Sequence, residues 1–205
     1  MAFLNHPIVQ QSFAVIDREI GEHVFSPEEY AIVRRVIHST ADFEFKHLIQ
    51  FSPGAIANAL VALRQQVPIV TDVSMVKQGI ITLVKKTFDN PIVVAVEQVA
   101  EGSGGKTRSE IGMQQCWQQF PQAIYVIGNA PTALLALCNC LQNASIQPAL
   151  VIAAPVGFIS VIEAKRAIAQ SLVPQIRVEG RKGGSPVASA ILNALLVLAW
   201  EKGMG

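Results

Sequence analysis

The chain has 205 residues, of which 51% are hydrophobic and 15% are charged, and its formal net charge is +1. A nearly neutral chain lacks the charge excess that draws proteins to nucleic acid or to anionic membranes, so neither is expected as a partner. The length is sufficient to bury one substantial core, and we predict a single domain over residues 1–205.

The N-terminal segment predicts two helices and no targeting signal. Its first residues, "MAFLNHPIVQQSF", lack the basic and apolar regions of a secretory signal, so a cytoplasmic protein is expected. In the "SPEE" that follows, Ser26 is placed to cap a helix, Pro27 to occupy its first position and Glu29 to complete a capping box. A helix is therefore predicted to run through "AIVRRVIH", with His38 near its C-terminal end.

Short apolar runs then alternate with helical patterns. They read "PIVTDV" (68–73), "PIVVAVE" (91–97), "AIYVIGN" (123–129), "ALVIAAP" (149–155) and "QIRVEG" (175–180). Their nearly continuous apolar character is typical of parallel strands that are buried on both faces. Two further Ser-Pro pairs predict helix starts at Ser52 and Ser185. The sequence thus predicts an α/β fold, a three-layer sandwich with a mainly parallel sheet and an N-terminal helical segment.

The longest apolar run, residues 186–200, does not predict a membrane span. It contains Asn193, and as a helix it would reach about 22 Å, short of the ~30 Å hydrocarbon core. This run is expected to form a buried helix.

The loops after the five strands are the expected location of a binding site, because ligands of open α/β sheets bind outside the carboxyl ends of the strands. These loops read "TDVSM", "EQVAEGSGGKTRS", "GNAPT", "APVGF" and "EGRKGGS". All are rich in small residues or carry isolated polar groups.

Two of these loops lead from glycines into a helix beside basic residues. In "EGSGGKT" the tail resembles a nucleotide-binding P-loop, but Ala100 stands where its leading glycine would be, so nucleotide binding is only a weak alternative. A helix start at which Arg108 faces an anion is a better explanation, and a solvated helix end is equally compatible with these residues. The second such start, "GRKGGS" (180–185), suggests with the first a ligand that bears several negative groups.

The cysteines and histidines do not form a metal site by spacing. Cys116, Cys138 and Cys140 contain no C-x-x-C pair and are expected to be buried, and no histidine pair has metal-ligand spacing. His38 lies in "HSTAD", which is too compact for a Ser-His-Asp relay. It is either a structural histidine stabilised at a helix C-terminus or a functional one.

Six stretches that follow one another along the chain carry a family resemblance. They are "HPI...QSF" (6–13), "VRRVIHSTADFEF" (33–45), "IVTDVSMVKQGI" (69–80), "GNAPTAL" (128–134), "PVGFISVIEAK" (155–165) and "GRKGGSPVASAILNAL" (180–195). Together and in this order they resemble the precorrin-8X methylmutase family of cobalamin biosynthesis.

The resemblance implies a reaction and an assembly. The family is known for moving a methyl group from carbon 11 to carbon 12 of a corrin-precursor tetrapyrrole by a 1,5-sigmatropic shift, which gives hydrogenobyrinic acid or its cobalt form. It uses no cofactor and works as a homodimer that binds the substrate near the subunit interface. A corrinoid-binding protein without catalysis is the alternative.

The resemblance also implies roles for individual residues. His38 looks like the general acid that protonates the macrocycle near ring C, which suits a side chain that titrates near neutral pH. The residues expected to bind the polycarboxylate substrate, directly or by shaping the loops, are Ser12, Asp72, Arg108, Asn129 and Gly184. The cobalt content of the substrate is left open, because no residue is a recognisable metal discriminator.

Overall fold

The N-terminal segment forms two helices, as predicted. The structure, a computed structural model, describes residues 6–142 and 144–203. Helix α1 spans Pro7–Glu19 and α2 spans Pro27–Thr40. The capping box of α2 is complete: Ser26 Oγ accepts from the Glu29 amide, and the Glu29 carboxylate accepts from the Ser26 amide. Ala41, directly after α2, has a left-handed conformation that ends the helix, so His38 lies in its last turn.

A six-stranded sheet forms the centre of the fold. Its strands are β1 (Ile49–Phe51), β2 (Ile69–Thr71), β3 (Ile92–Val94), β4 (Ile124–Ile127), β5 (Leu150–Ala153) and β6 (Gln175–Val178). They are arranged in the order β1-β6-β5-β4-β2-β3. All neighbours are parallel except β1, which is antiparallel to β6. The α/β fold with a mainly parallel sheet is confirmed, and the edge strand β1 was not predicted.

The remaining helices cover both faces of the sheet. They are α3 (Phe45–Leu48), α4 (Ala55–Arg64), α5 (Ser74–Lys86), α6 (Arg108–Gln119), α7 (Pro131–Leu141), α8 (Val161–Ala169) and α9 (Ser185–Gly203), with a 3-10 turn at Ala95–Glu97. One core lies under α4, α5 and α9, against which α2 packs, and the other lies under α6, α7 and α8. Within the described ranges, no helix is long and apolar enough to span a membrane.

The two other helix starts predicted from Ser-Pro pairs had different outcomes: the one at Ser52 was wrong and the one at Ser185 was confirmed. Ser52 does not start a helix, because its Oγ accepts a hydrogen bond from the amide of Gln175, the first residue of β6. Helix α4 begins only after Gly54, which has a left-handed conformation. Helix α9 begins at Ser185, as predicted, but the Ser185 hydroxyl is buried and has no hydrogen-bond partner among the described residues. The Ser-Pro pattern therefore located α9 without revealing how it is capped.

Helices α2 and α9 run antiparallel, which fixes where His38 lies. The end of α9 meets the start of α2 through an ion pair between Lys202 and Glu28, 2.6 Å apart. At the other end, Lys182 precedes α9 and pairs with Asp42 and Glu44, which follow α2. The last turn of α2 therefore lies at the edge of the sheet where β2 to β6 end. We call this the carboxyl edge.

Candidate active site

The carboxyl edge collects the loops that were predicted to bind a ligand. Because β2 to β6 are parallel, the five loops that follow them open at this edge. The chain proceeds from β2 outward to β3, then crosses back to β4 and continues toward β6 on the other side. The order thus reverses between β2 and β4, where α/β sheets typically form a binding crevice.

Asp72 lies at this reversal point and is fully buried. Its carboxylate accepts hydrogen bonds from the backbone amides of Gly128, Asn129 and Ala130 at 3.0, 2.7 and 2.7 Å. Burial raises the pKa of the Asp72 carboxyl, and the amide donors oppose that rise. The amides after β4 are therefore directed at an internal carboxylate and not at a ligand. Asp72 therefore stabilises the loop from the protein interior, whereas Asn129 is exposed to solvent.

His38 is exposed in the last turn of α2 and contacts α1. Its ring packs edge-on against Phe13, with ring centroids 5.5 Å apart. Partial burial, followed by the charge of Arg35, lowers the pKa of His38 below its ordinary value of 6.5. Ser12 precedes Phe13 on α1, and its hydroxyl donates to the Ile8 carbonyl at 2.9 Å. Ser12 is therefore the neighbour in sequence of the α1 residue that contacts His38.

The "GRKGGS" loop lies between α2 and the loop after β5. Gly184 is buried, and its amide donates to the Ala154 carbonyl at 2.8 Å. Gly183 needs to be glycine, because a Cβ there would lie 2.4 Å from the same carbonyl oxygen. Lys182 reaches out to the carboxylates beyond α2, and the Arg181 guanidinium lies over the exposed ring of Phe158. The loop is thus held close to the end of α2.

Arg108 lies after β3, toward the other end of the carboxyl edge. Its Nε donates to the Val99 carbonyl at 2.9 Å and one terminal nitrogen donates to the Val96 carbonyl at 2.8 Å. The guanidinium therefore stabilises the long loop before α6. Thr107 caps that helix by accepting from the Glu110 amide.

The structure brings together some of the predicted residues and adds others. Asp72 and Asn129 are in direct contact, and Gly184 and His38 belong to segments joined by the Lys182 ion pairs. The contacts that sequence reasoning missed involve Phe13, Lys165 and Lys182. No local pattern signals them, because each depends on a partner at least 15 residues away in the chain.

Comparison with known proteins decides the family. A family model described as precorrin-8X methylmutase matches residues 7–198. The chain belongs to the precorrin-8X methylmutase family. A cobalt-precorrin-8 methylmutase of Synechocystis is 56% identical and covers 98% of this chain and 99% of that protein. A precorrin-8X methylmutase of Sinorhizobium is 32% identical, with 92% of each chain covered.

A solved structure supports the same assignment. The precorrin-8X methylmutase of Thermus thermophilus is 41% identical, with a TM-score of 0.88 over 97% of this chain and 100% of that one. The predicted α/β fold and the resemblance are thereby confirmed. Methylmutases are isomerases that catalyse intramolecular methyl migration, and this family acts in cobalamin biosynthesis. The nucleotide-binding alternative is therefore set aside.

Proposed function

We propose that the protein converts cobalt-precorrin-8 into cobyrinic acid by moving a methyl group from C-11 to C-12, with His38 as the general acid. The observation that supports the acid role is the position of His38, which the antiparallel packing of α2 and α9 brings to the carboxyl edge. The cobalt form is favoured because the Synechocystis relative named for it is 56% identical, whereas the Thermus and Sinorhizobium proteins named for precorrin-8X are 41% and 32% identical.

The proposed chemistry makes modest demands on the protein. An intramolecular methyl shift requires no redox group and no external methyl donor, and a proton donor can assist it by drawing electron density toward the site of protonation. An exposed imidazole in the last turn of a helix can reach a bound macrocycle. Because the substrate carries several carboxylates, its binding favours the charged imidazolium and raises the pKa of His38.

The carboxylate arms are proposed to bind along the carboxyl edge. Arg108, the Ser12 hydroxyl and the backbone of the "GRKGGS" loop are the proposed direct contacts. Asp72, Asn129 and Gly184 shape the loops beside them. Two of the N–H donors of Arg108 bind the carbonyls of Val96 and Val99. Its other guanidinium donors are proposed to bind the substrate.

Replacing Arg108 by alanine is expected to weaken binding more than it slows the chemical step. The variant loses a charge at the edge and two bonds to the loop before α6, so the dissociation constant for the substrate should rise by about tenfold, as expected for the loss of a charged hydrogen bond. Titration of substrate absorbance measures it. Arg166→Ala, which removes an arginine from α8, is the control. An equal dissociation constant in both variants and in wild type would remove Arg108 from the binding site.

We further propose that residues 1–205 act as one domain and that the protein works in the cytoplasm. We also propose that it is a homodimer with the site near the subunit interface. In support of the dimer, the loop after β5 exposes large apolar side chains at the carboxyl edge, with Phe158 and Ile159 each more than 80% exposed. Sedimentation of wild type and of the Phe158→Ser/Ile159→Ser variant measures the assembly. The proposal predicts a dimer that this variant weakens and that Leu172→Ser, at an exposed apolar site after α8, does not.

The function is tested by incubating the purified protein with precorrin-8 that either carries or lacks cobalt. The expected result is a new corrin absorbance spectrum at unchanged mass, formed faster with the cobalt substrate. A spectral change with the cobalt-free substrate alone would reverse the assigned substrate. Binding of both without conversion would support the non-catalytic corrinoid-binding alternative.

A further inference from the structure

Lys165 is a buried cation that the proposed chemistry does not use. It lies on α8 with 1% of its surface exposed. Its ammonium donates to the carbonyls of Gly180 and Lys182 at 2.8 and 2.7 Å. Burial lowers the pKa of Lys165 to about 8, which shows that the charged form is held in an unfavourable environment. An apolar side chain of similar length would avoid that cost, so the lysine is best explained by what it holds.

What Lys165 holds is a loop with little conformational preference of its own. Gly180, Gly183 and Gly184 all have positive φ angles, of 72°, 154° and 117°. Glycines at such angles gain many alternative conformations when their contacts are lost. The carbonyls of Gly180 and Lys182 lie on either side of Arg181, so the buried Lys165 ammonium fixes the middle of the loop from the protein interior.

The same loop carries Lys182, whose side chain points the other way. Lys182 Nζ lies 2.5 Å from a carboxylate oxygen of Asp42 and 2.6 Å from one of Glu44. These two residues follow Ala41, where α2 ends. The two contacts tie the loop to the segment directly after the turn that bears His38.

We propose that Lys165 is a positioning residue of the methylmutase: by fixing the carbonyls of Gly180 and Lys182 it places the Lys182 ammonium, which in turn places the end of α2 and His38 against the bound tetrapyrrole. This inference rests on the proposed function, since it requires His38 to act on the substrate. A buried lysine on one face of the sheet thereby sets the geometry of a helix that packs on the other face.

Lys165→Met tests this directly, because methionine keeps most of the side-chain volume and removes the donors. The expected result is a fall in kcat of more than about tenfold, since a small displacement of a catalytic group costs rate more than binding. KM should rise by a smaller factor, because the loop that Lys165 holds is also a proposed contact for the substrate carboxylates. Lys182→Met should also lower kcat by a larger factor than it changes KM, but both effects should be smaller than in Lys165→Met. Lys202→Met is the matched control, because Lys202 makes a similar exposed ion pair at the opposite ends of α2 and α9. It should leave both constants unchanged.

A double variant separates positioning from a general loss of structure. If Lys165 acts through His38, adding Lys165→Met to His38→Ala should not slow the residual reaction further, because residues that act as one unit are not additive. A wild-type kcat in folded Lys165→Met would overturn the inference. If Lys165→Met does not fold, Lys182→Met decides, and unchanged kcat in that variant overturns it. Failure of wild type and Lys202→Met to convert substrate would instead overturn the proposed function.

Discussion

His38→Ala is expected to lower the rate of methyl migration by at least about a hundredfold, the usual contribution of a general acid. The fold should survive, because the His38 side chain is exposed and, in the part of the chain that the structure describes, its ring packs against Phe13. Substrate binding should change little, since the proposed contacts with the carboxylate arms are made by other residues. Single-turnover absorbance with excess enzyme measures the rate, and a titration measures the binding.

The control is His47→Ala, which removes an exposed histidine from the neighbouring α3. It should convert substrate at the wild-type rate. Turnover by His38→Ala within about threefold of wild type, far less than general acid catalysis contributes, would assign His38 a structural role at the end of α2.

The pH dependence of the wild-type enzyme offers a second check on the same role. An acid must be protonated to act, and partial burial with the charge of Arg35 lowers the pKa of His38 in the free protein below 6.5. The value of kcat/KM should therefore fall as pH rises through that pKa, and His38→Ala should lack this limb. Because the bound carboxylates favour the imidazolium, the corresponding fall in kcat should come at higher pH. A profile of kcat/KM that rises over this range would indicate a general base.

Asp72→Ala is expected to be the most destabilising of these changes. It leaves the buried amides of Gly128 and Ala130 without an acceptor. The partly buried amide of Asn129 loses its acceptor as well. At about 1–3 kcal/mol for each buried donor, the free energy of unfolding should fall by roughly 3 kcal/mol or more. Urea denaturation measures it. Substrate affinity should fall as well, because the loop after β4 is no longer held.

The matched control for this loss is Glu101→Ala, which removes an exposed carboxylate from the loop after β3. Its effect should stay within about 0.5 kcal/mol, as for most surface changes. The loss of unfolding free energy in Asp72→Asn should lie between those of Asp72→Ala and Glu101→Ala. The asparagine amide keeps one acceptor oxygen but turns a donor group toward the backbone donors. A denaturation midpoint for Asp72→Ala equal to that of wild type would show that the loop is stable without the carboxylate.

The sequence determined those features that depend on residues close together in the chain. The capping box of Ser26 and Glu29 and the apolar runs of the five parallel strands are local patterns, and each produced the predicted element. Six collinear stretches identified the family, and the position of His38 near the end of α2 followed from counting residues along one helix. Candidate site residues could be named in this way, although their contacts could not.

The tertiary structure decided everything that depends on pairing between distant segments. Strand β1 lacks the continuous apolar run of the other strands, because Gln50 separates Ile49 from Phe51, and it exists because β6 pairs with it. Ser52 has the local sequence of a helix cap, but its hydroxyl oxygen accepts a hydrogen bond from the amide of Gln175, 123 residues away. Arg108 and Lys165 bind backbone carbonyls, which every residue carries, so no side-chain pattern can predict their partners. Local propensity determines most of the elements, whereas edge strand β1 and the partners of buried polar groups are fixed only when the chain packs.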